Sequence, residues 1–195
     1  MTAPQPPAPS PDASDALLAR IESDPALADY LAWPCDFDID RRDPVEDLRL
    51  PTGIPLHPIA GCGAGGTYYL CGAPHTTPRP VLYADSEGQA TLVGETLREA
   101  LRLLATFPYW QDLGAGFPPT NLEATLQEDH PNMATHRTAF FTTLNLIPLP
   151  LTDALPHLHT CATRTVPAYI PTSTEHNEPY ELLFPPPLSL PTPEA

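Results

Sequence analysis

Lysine is absent from the 195 residues, so all nine basic residues are arginine. This removes any lysine nucleophile or Schiff base, and together with the excess of alanine and proline it points to a high-GC genome. Positive charge is scarce altogether: nine arginines face 24 acidic residues, for a formal charge of −15. Such a field repels phosphate backbones and anionic lipid and attracts cationic surfaces. Nucleic acid and membrane are therefore not expected as partners, and a basic protein is.

Cysteine is also sparse. Cys35, Cys62, Cys71 and Cys161 form no Cys-x-x-Cys pair, which argues against a disulfide framework or a zinc knuckle and for reduced, buried thiols. No run approaches the roughly 18 apolar residues of a membrane span, and residues 1–11 lack the basic start and apolar middle of a signal peptide. The expected compartment is the cytoplasm.

Proline, by contrast, is abundant, with 29 residues clustered toward both ends. Residues 1–13 and 161–195 offer too little apolar surface to offset the entropy of ordering. The first is expected to be a disordered tail and the second an irregular segment. Residues 14–160 form the expected single domain, with a core over 14–113 and a helical extension over 114–160.

Within that domain, Ser14 is positioned to cap a helix carrying Leu17, Leu18 and Ile21, and Asp24-Pro25 to start a second through Leu31. Residues 36–40 alternate acidic and apolar side chains, the period-2 pattern of a half-exposed strand. Strands are predicted over 55–60, 67–72, 80–85 and 90–93, separated by glycine-rich or Asp-Ser-Glu-Gly turns. Leu97, Leu101 and Leu104 then recur at helical spacing, a stripe suited to lie on the sheet. Thr120 and Glu123 read as a capping box for the next helix, Pro131 breaks it, and Met133, Arg137, Phe141 and Leu144 mark another. A short helix over 153–160 is the last element expected. The fold class is α+β: a small antiparallel sheet with flanking helices, a helical C-terminal extension and proline-rich tails.

Three stretches together resemble the SUKH superfamily, which joins bacterial immunity proteins to fungal cell-wall-assembly regulators. They are Gly65-Gly66-Thr67-Tyr68-Tyr69-Leu70, the strand Pro80-Val81-Leu82-Tyr83 with Gly88, and the leucine helix over 97–104. Pro25, Tyr30 and Leu31 resemble the family's N-terminal helix. The likeness spans about residues 54–113. The glycine turn expected soon after that helix is replaced by Pro34-Cys35-Asp36-Phe37-Asp38, and a long segment follows the family-like core. The resemblance implies an antitoxin-like protein that blocks a toxin domain by surface complementarity, without catalysis or cofactor.

Several constellations invite chemistry. The run Gly61-Cys62-Gly63-Ala64-Gly65-Gly66 has the amide-rich character of an anion cradle. However, a strand rather than a helix follows it, with no Gly-Lys-Ser, so a glycine hairpin turn is the better reading. Asp36, Asp38, Asp40 and Asp47 match part of a calcium-loop register, yet Arg41 takes the glycine position and Asp47 replaces the bidentate glutamate. A solvated acidic edge is expected instead. His57, Cys62, Cys71 and His75 lie on adjacent predicted strands or the turns between them and carry metal-ligand chemistry at an unfamiliar spacing. His157, His159 and Cys161 alternate without an evident fourth ligand. Ser86 lacks a nucleophile elbow, and its acidic neighbours oppose an oxyanion.

The leading expectation is a non-catalytic binding protein whose acidic face includes Asp36, Asp38, Asp40, Asp85 and Glu87, with Tyr69 as an aromatic anchor. It needs no cofactor and meets a basic, toxin-like protein. The alternative is a metal-binding protein or small metal-dependent enzyme using His57, Cys62, Cys71 and His75. A scaffold role for the proline-rich ends is a third, weakened by the lack of basic residues beside those prolines.

Overall fold

The computed structural model describes residues 13–184. The proline-rich ends of the chain, residues 1–12 and 185–195, lie outside the described residues. The architecture is α+β, as composition and periodicity predict. Two helices, α1 (Ala13–Glu22) and α2 (Pro25–Ala32), open the described chain, and a two-residue strand β1 (Leu48–Arg49) follows. Then come β2 (Leu56–Gly61), β3 (Thr67–Cys71), β4 (Val81–Ala84) and β5 (Gln89–Gly94), the helices α3 (Leu97–Thr106), α4 (Trp110–Gly114), α5 (Pro119–Asp129), α6 (Met133–Thr143) and α7 (Leu151–Thr165), and the short strands β6 (Thr172–Ser173) and β7 (Glu181–Leu182). The main sheet runs β2-β3-β4-β5-β7, antiparallel except for the parallel β5–β7 pair, and β1 pairs with β6 beside it.

The four expected central strands all form, each within a residue or two of its predicted ends, because each carries β-branched, aromatic or leucine side chains between turn residues. What differs is how they are covered. Every residue of β3 and of β4 is buried. Since successive strand side chains point to opposite faces, Tyr68, Leu70, Val81 and Tyr83 enter one core, while Tyr69, Cys71, Leu82 and Ala84 enter another. The leucine stripe of α3 covers the first face, as its spacing predicts. The second is covered by Leu50, Cys161 and Tyr180, which belong to the β1 region, α7 and the chain just before β7.

This second cover corrects the expectation of an irregular segment from residue 161. Helix α7 does not stop at residue 160 but continues to Thr165, and residues 172–173 and 181–182 are strands. The physical reason is the unspent apolar face of the sheet, which compensates for the low local propensity of a proline-rich sequence. The residues after Leu113 pack on the first core as well: Met133, Phe140, Phe141, Leu144, Leu158 and Phe184 are all members of it.

Helix α7 also finishes the hydrogen bonding of β5. The strand β7 engages only its first two residues. Beyond them the Leu92 amide donates to Thr165 Oγ1 at 2.8 Å, and Thr165 Oγ1 donates in turn to Cys161 O at 2.7 Å. His157 Nε2 lies 2.9 Å from Val93 O; a carbonyl can only accept, so Nε2 carries the proton. At the opposite edge β2 has Pro58, which lacks a donor, and a bulge between Pro58 and Ala60. Both are devices that blunt an exposed edge.

Helix starts are less faithful to the sequence pattern. Asp24 caps α2 through the Ala26 amide, as expected. By contrast Ser14 is buried inside the first turn of α1, which is already helical at Ala13. Thr120 and Glu123 make no capping box: α5 starts at Pro119, without a side-chain cap. Glu123 instead takes both Nη atoms of Arg137, at 3.0 and 3.3 Å, and the Tyr109 hydroxyl at 2.9 Å. A related pair of bonds forms at α3, where Thr96 Oγ1 accepts from the Glu99 amide and Glu99 Oε2 accepts from the amide of Glu95, one residue before the cap. Residues 36–40 form a single bridge, Asp38 to Gly61, rather than a strand. Among the described residues no helix is long and apolar enough to cross a membrane.

The Glu123 clamp ties α5 to α6 and to the start of α4. Burial alone would raise the Glu123 pKa, but the Arg137 ion pair and the Tyr109 hydrogen bond outweigh it and hold the carboxyl below its usual value. A lowered folded pKa means stabilisation that is fully present above the unfolded value, about 4.3, and is lost as pH falls through the folded one. Glu123→Gln is expected to cost about 2 kcal/mol near pH 7. In urea denaturation at pH 7 and pH 3, the gap from the parent chain should shrink at the lower pH. Thr165→Val keeps the side-chain shape but strands the buried Leu92 amide. It should cost about 1–3 kcal/mol and speed hydrogen exchange at Leu92 before that of β3.

Candidate partner-binding surface

One end of the main sheet is formed by three loops, and the sequence requires each to turn tightly. Between β2 and β3 the chain reverses through residues 61–66, where the Cys62 amide donates to Gly66 O at 2.8 Å and the Gly65 amide to Cys62 O at 3.2 Å. Gly65 has φ of +89°, a left-handed conformation that favours glycine. Gly66 has no room for a side chain, since a Cβ there would collide with the buried Tyr83 ring. The Gly66 amide is satisfied by Cys62 Sγ at 3.1 Å, and that sulfur lies 3.5 Å from the Tyr83 hydroxyl.

The second loop follows α2. Asp36, at φ +51°, accepts the Gly63 amide at 2.7 Å, and Asp38 exchanges backbone hydrogen bonds with Gly61, both at 2.9 Å. Asp38 Oδ1 also accepts the Asp40 amide at 2.9 Å, and Arg41 reaches its other oxygen at 3.3 Å. The third is the β4–β5 hairpin, where Asp85 Oδ1 accepts the amides of Glu87 and Gln89 at 2.9 and 2.7 Å. Ser86 Oγ donates to Ala64 O at 2.9 Å and so fastens this hairpin to the glycine turn.

The structure thus brings Asp36, Asp38, Asp40, Asp85 and Glu87, distant in sequence, around one glycine turn. Asp40 and Glu87 are exposed and make no ion pair among the described residues. Sequence reasoning missed Val45, which is 65% exposed and close to Gly65. Its signal was a single apolar residue inside the acidic run 43–47. Glu46 beside it is tied to the Tyr180 hydroxyl at 2.5 Å, and its carboxyl is held below its ordinary value by hydrogen bonds from Ser173 and Tyr180.

Tyr69 does not join this surface. It is only 4% exposed, packed with Leu50 and Tyr180 in the second core, and burial pushes its hydroxyl up to about 12. The expectation that Tyr69 is an aromatic anchor of the contact surface fails because both faces of the sheet are covered.

The residues suited to metal do not converge either. Cys62 belongs to the first core and Cys71 to the second, on opposite faces of the sheet. His57 lies on β2, and His75 is exposed in the β3–β4 loop. Asp36 and Asp38 are spent on backbone amides, and Asp47 lies beside β1. Cys161 Sγ lies 3.6 Å from His157 Nε2 across one turn of α7, while His159 is exposed on another face. Burial pushes the Cys161 thiol up to about 12, which keeps it protonated and a poor nucleophile or ligand. Among the described residues no three His, Cys, Asp or Glu side chains are grouped to hold a metal ion.

The glycine turn is likewise a poor anion cradle. Its Gly63 amide is already occupied by a carboxylate of the chain itself, and the surrounding carboxylates would oppose a phosphate. Among the described residues no histidine is hydrogen-bonded to Ser86. This end of the sheet carries an excess of carboxylates, held by the hydrogen bonds that join its three loops, with Val45 exposed beside them. Compared with known proteins, the chain matches no family model, no curated protein and no solved structure.

Proposed function

We propose that this chain is a non-catalytic protein-binding domain of immunity type, which neutralises a basic, toxin-like protein in the cytoplasm by covering it with the acidic end of its sheet. The observation that carries the reading is the joining of three loops around residues 61–66: backbone and Asp-to-amide hydrogen bonds fix carboxylates from residues 36–40 and 85–87 on one rigid rim. Rigidity matters because a preorganised surface loses less entropy on association. The charge speeds encounter with a cationic partner, and the buried contacts made afterwards hold the complex.

The likeness of residues 54–113 to SUKH proteins supports the same class of function, since members of that superfamily act by surface complementarity. Four free, buried thiols are compatible with a reducing compartment. The burial of the thiols and the scatter of the sulfur and imidazole groups over different faces weigh against the metal-dependent alternative.

Affinity capture with the tagged chain from lysate of its own organism, followed by mass spectrometry, is expected to recover a basic protein that is released at high salt. With that partner purified, Asp40→Asn combined with Glu87→Gln should slow association about tenfold at low salt and flatten its salt dependence, with little change in dissociation. Both side chains are exposed and neither caps a backbone amide, so folding should be preserved. Recovery of no basic protein, or an unchanged association rate, would refute the reading.

A further inference from the structure

A second surface, sharing no residue with the acidic turn, lies where α2 packs on α6. Tyr30 and Phe140 meet at 5.2 Å between ring centroids, and beside them a groove of about 750 Å³ opens between the two helices. Its floor is apolar and well packed: Leu27, Tyr30, Met133 and Phe140 are all buried. Its rim is not. Trp33, at the end of α2, is 69% exposed, the largest aromatic side chain so displayed among the described residues. One part of the indole meets the His130 ring edge-on at 5.1 Å, and most of the rest faces solvent.

The charges beside Trp33 are of one sign. Asp29 stands one helical turn before it, the Trp33 amide closes the helix on Asp29 O at 2.9 Å, and both residues line the groove. Asp129 precedes His130 across the groove. Both aspartates are exposed, and neither makes an ion pair among the described residues. Asp24, also on the lining, is engaged by Arg20 at 3.6 Å.

We infer that this groove binds an arginine-bearing segment of a partner protein, with a guanidinium stacked on Trp33 and its N–H edge turned to Asp29 and Asp129. An exposed indole face attracts a cation through the ring quadrupole, and arginine suits it better than lysine because its planar, weakly hydrated group stacks while still donating in plane. The apolar floor accepts the methylene stem or a neighbouring apolar side chain. An anionic segment is repelled by the rim, and a second copy of the chain brings its own excess of 15 negative charges. The inference stands without the acidic turn.

The test titrates hexa-arginine into the full chain while following the two indole N–H signals by NMR. Trp110 is 1% exposed and serves as the internal reference. The Trp33 signal should move saturably while that of Trp110 stays still. Hexalysine should bind roughly threefold or more weakly, Trp33→Ala about tenfold or more weakly, and Trp33→Phe in between. Asp29→Asn with Asp129→Asn should weaken binding roughly threefold at low salt, whereas Asp40→Asn with Glu87→Gln should leave the Trp33 response unchanged. A Trp33 signal unmoved by hexa-arginine would overturn the inference, as would equal affinity in Trp33→Ala. So would a Trp33 shift produced instead by a proline-rich peptide or by concentrating the chain alone. Loss of hexa-arginine binding in the acidic-turn variant alone would count against the groove and for the turn.

Discussion

The structure depends on the need to keep both faces of β3 and β4 out of water. Nine consecutive-in-strand side chains, from Thr67 to Cys71 and from Val81 to Ala84, are buried. A single helical layer could cover only half of them. Each aromatic or leucine side chain left wet would forgo roughly 1.5–3 kcal/mol, so the sheet needs a second cover. The chain supplies it from three separated places, Leu50, Cys161 and Tyr180. This explains why so much sequence follows the β5–α3 unit. The later helices and the returning strand β7 complete a sheet that would otherwise be apolar on one side.

The same constraint separates what could be read from the sequence from what could not. Local signals were legible: the Asp-Ser-Glu-Gly hairpin, the leucine stripe of α3, the Asp24-Pro25 start of α2 and the break at Pro131 all act within a few residues. The exposure of Tyr69 was not legible, because it is decided by Leu50 and Tyr180 from distant segments. Thr120 and Glu123 have capping-box spacing, yet Glu123 finds in Arg137 a charged partner stronger than a backbone amide. Residues 172–173 and 181–182 have no propensity run to reveal them; they become strands because β1 and β5 present unpaired edges. The acidic residues of the candidate surface were legible as residue types, but their convergence depended on Ser86 reaching Ala64 and Asp36 reaching Gly63.

Much of that acidity has local work. Asp36, Asp38 and Asp85 accept backbone amides, a role aspartate fills in many turns. Their presence alone therefore does not indicate a partner. The informative carboxylates are those with no such task, Asp40 and Glu87, and the informative apolar side chain is Val45, which is exposed where solubility alone would favour a polar residue. In the proposed reading, the unpaired charge serves encounter and the apolar contact beside it serves holding.

The absence of lysine adds a last step. The nine arginines are largely committed within the fold: Arg137 to Glu123, Arg42 to Glu22, Arg164 to Glu95, and Arg98 and Arg102 to the carbonyls of Asn145 and Ile147. Positive charge is thus consumed by internal ties that join α3 to the chain beyond α6 and α7 to the start of α3. Negative charge is left in excess on the outside. An Arg-to-carbonyl tie fixes a loop without needing an acidic partner, so Arg98 and Arg102 hold the chain beyond α6 against α3 without consuming a carboxylate. Nine arginines cannot pair 24 acidic residues, and Asp29, Asp40, Glu87 and Asp129 are among those left without an ion pair among the described residues.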